Sequence, residues 1–127
     1  MPAEWRYAAL LLAGTAFFGL FYLGRLPGAG TLFPPPWDKL AHFVVYGGLA
    51  VCLLIAMGNR YAWLAALACM ATGALDEWHQ FYLPGRHADL ADFLTDVMAA
   101  GIAVPVASLA LRRCVLPRAQ LELPRNP

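Results

Sequence analysis

The stretch DKLAHFVVYGGLA, residues 38–50, sets a charged pair and a histidine directly against an apolar run that continues to Met57. From Leu40 to Met57 there is no Asp, Glu, Lys or Arg, enough residues to cross a bilayer core of about 30 Å as a helix. The chain is therefore read as opening this span with polar groups at a membrane surface. Composition agrees: 61% of the 127 residues are hydrophobic and 13% charged, and mean hydropathy is +0.57. In water such a chain would expose large apolar patches, so lipid is its expected solvent. A net charge of +1 with no basic stripe excludes a nucleic-acid partner.

Working outward, Tyr7 to Leu23 forms a first apolar span between Arg6 and Arg25. Cleavage of this segment as a signal peptide is the competing reading, disfavoured because no small-x-small site follows the run. LPGAGTLFPPPWDK, residues 26–39, holds four prolines and two glycines and is a loop. GNR at 58–60 is a tight turn. The remaining apolar segments, Tyr61 to Leu75 and Val97 to Leu111, are each too short to cross alone. To reach about 20 residues the third span must take in DEWHQ and the fourth DLADFLTD, which carries their polar groups to membrane depth. Pro105 is expected to bend the fourth span.

The fold class that follows is all-α, a four-transmembrane-helix bundle. Arg6, Arg60, Arg112, Arg113, Arg118 and Arg125 fall on the side of the termini, against Arg25, Lys39 and Arg86 opposite, so both termini are expected to be cytoplasmic. Trp5, Trp37, Trp63 and Trp78 all fall near span ends, where amphipathic rings prefer to sit. One domain covers 1–116 and a short tail 117–127. Cys52, Cys69 and Cys114 have no metal or redox spacing and are small apolar residues.

This topology gathers the start of span two, the end of span three and the start of span four at one surface. Six of the eight acids meet there, Asp38, Asp76, Glu77, Asp89, Asp92 and Asp96, together with Lys39, Arg86, His42, His79 and His87. Asp38, His42 and Tyr46 follow an i, i+4, i+8 course, and Asp89, Asp92 and Asp96 an i, i+3, i+7 course, so each set lines one helix face. Gln80 shares a face with Asp76 or Glu77. Six carboxylates against one lysine and one arginine leave an excess of negative charge. Protonated carboxyls, charged histidines or an external cation could each resolve it.

These motifs, DKLAHFVVYGGLA, DEWHQFYLPGR and DLADFLTDVMAAG, make the chain resemble the VanZ-like membrane proteins over residues 38–101. Carried over position by position, the resemblance implies motif residues Asp38, Lys39, His42, Asp76, Glu77, Gln80, Arg86, Asp89 and Asp92. The family commonly has asparagine where Asp96 stands and glycine where Ala99 stands. It implies a multi-pass protein of the bacterial inner (plasma) membrane with a link to teicoplanin resistance, and it brings no established chemistry.

Three functional readings follow. In the first, these residues and Asp96 bind a cell-envelope component, such as a lipid-linked wall precursor, or a teicoplanin-type glycopeptide, with Arg86 holding a phosphate or carboxylate. In the second, His42, Glu77 and Asp92 hold a divalent metal for a hydrolase or transferase acting on a lipid-linked phosphate. In the third, the cluster only clamps helices together, with Arg86 pairing with Asp92 or Glu77. No metal-ligand spacing, nucleophile elbow or phosphate loop occurs, so the balance lies against an enzyme and against an obligatory cofactor. Membrane lipids are the expected partners in every case.

Overall fold

The computed structural model describes the backbone of residues 1–121 and the side chains of residues 1–113. Four long helices carry the chain: α1 (Ala3–Gly24), α2 (Trp37–Met57), α3 (Ala62–Phe81) and α4 (Leu90–Leu121), with no strand among the described residues. Helix α4 runs unbroken through Pro105 and extends to Leu121, into the segment read as a tail. Residues 122–127 of that tail, and the Cys114 side chain, lie outside what is described.

The polar residues expected at span ends are helical. DEWHQ forms the last turns of α3, and ADFLTD the first turns of α4. At 20 residues α3 is about 30 Å long, close to α1 and α2. Helices α1, α2 and the Leu90–Arg113 part of α4 are long and apolar enough to cross a membrane; α3 is not among them. Its length is sufficient, and what lowers its hydropathy is Asp76, Glu77, His79 and Gln80 near its end.

Successive helices run antiparallel. At one end Arg6, in the first turn of α1, donates from Nε to the Ala56 carbonyl at the end of α2 (2.9 Å). There Gly58, at φ +90°, stops α2 and donates its N–H to the Leu54 carbonyl, the turn that GNR called for. A short 3-10 turn, Asn59–Tyr61, then leads into α3. At the other end the start of α2, the end of α3 and the start of α4 converge. Helix α2 is central, packed on α1, α3 and α4, whereas α1 meets α3 only slightly.

The interior is built of small groups and the exterior of large ones. Ala9, Ala13, Ala50, Ala65, Ala99 and Ala100 are buried, while Leu11, Phe18, Val44, Leu67, Met98 and Val106 are exposed. Small residues let helix backbones approach, and Leu, Phe and Met facing outward suit a lipid solvent rather than water. Gly47 lies against Ala99 and Ala103 in this way, but Gly48 touches nothing across its face. All four tryptophans lie near helix ends and are exposed. Cys69 is buried and Cys52 half-buried, both free.

Candidate functional site

The convergent ends of α2, α3 and α4 form one polar site in two layers. At the mouth, the Lys39 ammonium donates to Asp89 (2.8 Å) and Asp92 (2.5 Å) and, at 3.4 Å, to Asp38. One cation thus serves three carboxylates. Asp89 is about half exposed at its side chain, Lys39 a third, and Asp92 little. The Lys39 ammonium and the Ala91 N–H hold the Asp89 carboxyl below its ordinary pKa.

Asp89 stands one residue before α4 rather than on its stripe. Its Oδ1 accepts from Ala91 N–H (2.8 Å) and its carbonyl accepts from the Asp92 and Phe93 N–H groups, so it caps the helix. Its own N–H donates to Glu77 Oε2 at 2.7 Å, which ties the end of α3 to the start of α4.

Below the mouth lies a floor. His42 Nδ1 is 2.9 Å from Asp96 Oδ1, and its Nε2 is 3.9 Å from Asp92 Oδ2. The Tyr46 hydroxyl donates to Asp76 Oδ2 (3.0 Å), which also accepts from the Gln80 amide (3.1 Å). His42 and Tyr46 stack at 5.7 Å between centroids, as their i, i+4 spacing on α2 implies. Tyr46 and Asp96 are wholly buried, Asp76, Glu77 and Gln80 nearly so. Two carboxylate oxygens at this depth, Glu77 Oε1 and Asp96 Oδ2, have no hydrogen-bond partner among the described residues. Room for Asp96 comes from α3: a Cβ on Gly73 would meet Asp96 Oδ2 at 2.8 Å.

Nine of the ten expected site residues therefore meet, and Arg86 does not. Its side chain lies instead against the α1–α2 connection, where a Cβ on Gly30 would meet Arg86 Cδ at 3.1 Å. Its buried Nε has no partner among the described residues, and it forms no ion pair with Glu77 or Asp92. The Pro84–Gly85 turn, with Gly85 at φ +74°, carries Arg86 into that connection. The expected metal set changes as well. The donors that cluster are His42, Glu77 and Asp96, within 4.8 Å of one another, whereas Asp92 is held by Lys39. What spacing did not reveal is the Tyr46–Asp76–Gln80 chain and the Glu77–Asp89 link. The first had a signal in the Asp38, His42, Tyr46 stripe; the second had none, because a loop N–H supplies it.

A family model described as VanZ/LLP1 matches residues 5–111. The chain belongs to the VanZ/LLP1 family. The match reaches beyond the motif region 38–101 and takes in all of α1 after its first turn. No curated protein and no solved structure matches the chain. In this VanZ/LLP1 protein the matched stretch holds Asp38, Lys39, His42, Asp76, Glu77, Gln80, Asp89 and Asp92, which build the two layers of the site together with Tyr46 and Asp96.

Proposed function

We propose that this is a four-span protein of the bacterial inner membrane, with both termini cytoplasmic, whose polar site opens at the outer leaflet and binds a cell-envelope component. Arg6, Arg60, Arg112 and Arg113 mark the end of the bundle away from the site, which supports that orientation. The ligand is the cationic or polar part of a lipid-linked wall precursor or of a teicoplanin-type glycopeptide. One observation carries this reading: among the described residues Lys39 is the one lysine or arginine paired with three aspartates at the mouth, too little charge to balance them, while two buried carboxylate oxygens below have no partner. A clamp between helices would be expected to balance its charges. A cationic ligand supplies what the chain itself does not.

Titrating detergent-purified protein with teicoplanin, and separately with n-hexylammonium at constant ionic strength, tests the proposal. Either compound should raise the melting temperature of the wild type, and the rise should shrink in Asp38→Asn. If neither raises it beyond a sodium chloride control, the proposal is overturned.

A further inference from the structure

The floor of the site has a separate chemical logic. We propose that His42, Glu77 and Asp96 bind a divalent first-row transition-metal ion, independently of what the mouth binds. A ring nitrogen of His42 and one carboxylate oxygen from each acid lie within 4.8 Å of one another. Ligands around such an ion at bond lengths of about 2.1 Å stand about 3.0 to 3.4 Å apart, so side-chain movements of up to about 1–2 Å would close the set.

Part of that geometry is already present. His42 Nδ1 and Asp96 Oδ1, at 2.9 Å, are spaced as neighbouring ligands of one ion, which would take the place of the proton they share. His42 Nε2 then faces Asp92 Oδ2 at 3.9 Å, where a carboxylate is needed to orient a metal-bound imidazole.

Acid clustering alone would not carry the case. Glu77 is nine-tenths buried and Asp96 wholly so, and each keeps one oxygen with no partner among the described residues. Leaving such an acceptor unsatisfied at this depth is costly, and a metal relieves it. A cleft of about 340 Å³ lined by Ala74, Glu77, Asp89 and Phe93 opens beside one of the three ligands, Glu77. One imidazole with two carboxylates suits zinc or manganese; calcium and magnesium favour oxygen alone.

Zinc affinity of chelator-stripped, detergent-purified protein, read by competition with a fluorescent zinc indicator, tests the site. The wild type should bind one equivalent. Asp92→Asn, which removes the carboxylate facing the imidazole and one ionic partner of Lys39 but none of the three ligands, should weaken binding about 10- to 100-fold. Glu77→Gln should abolish it, while Asp38→Asn, at the mouth, leaves it unchanged. Cobalt-loaded wild type should show d–d bands that Glu77→Gln lacks. No saturable binding by the wild type, or equal affinity in wild type, Asp92→Asn and Glu77→Gln, overturns the proposal. Loss of zinc binding with retained response to hexylammonium would separate this site from the mouth.

Discussion

Two glycines in the same bundle make opposite demands. Gly73 faces the fully buried Asp96 carboxylate, where an added Cβ would lie 2.8 Å from Oδ2 and 3.1 Å from the Asp96 Cβ. Gly73→Ala should therefore cost about 1–3 kcal/mol, an overpacking penalty, and lower the melting temperature. Gly48 in α2 has nothing within 4 Å of such a Cβ, so Gly48→Ala should stabilise by about 0.5–1 kcal/mol through helix propensity. Both are read by thermal unfolding in detergent. At this scale the sequence was legible where helical period decides. The Asp38, His42, Tyr46 stripe is such a case, and the structure keeps it. It was not legible where depth or a loop decides. Asp92 and Asp96 share one helix face four residues apart, and only packing assigns the first to Lys39 and the second to His42. Arg86 follows a glycine turn whose direction no periodicity encodes.

Among the elements, α3 and α4 show how length constrains composition. The apolar part of α3 is too short to cross a bilayer and its polar end lies in the site, as do the first turns of α4. That much follows from counting residues. The role of Asp89 does not, because it precedes α4 instead of lying on its face, serving at once as helix cap and as partner to Lys39. Asp89→Ala should melt lower than Asp89→Asn, since asparagine retains the cap. The Asp89 carboxyl lies below its ordinary pKa when folded, so its contribution is present above the unfolded value of about 3.9 and fades as pH falls through the folded one. The stability gap between wild type and Asp89→Asn should accordingly narrow on acidification below about pH 4, as unfolding midpoints across pH would reveal.

The molecule as a whole is inverted relative to a water-soluble protein, with alanines inside and leucines, phenylalanines and methionines outside. Composition announced this, since 61% hydrophobic residues with 13% charge suit lipid. Orientation rests on arginine bias, and reporter fusions check it. Alkaline phosphatase fused after Leu32 should be active, and a fluorescent protein fused at the C-terminus should fluoresce. Reversed activities would place the site on the cytoplasmic face. On the proposed ligand-binding reading, an acidic site with one lysine and buried carboxylate oxygens unpartnered among the described residues is expected to be held at the expense of stability. The most direct measurement is the melting temperature of wild type and Glu77→Gln, both stripped of metal by EDTA. Removing one uncompensated charge should raise the melting temperature of Glu77→Gln by roughly 2–5 °C. A variant that melts lower than wild type under these conditions would contradict the account, because the cluster would then be a clamp whose every carboxylate stabilises the fold.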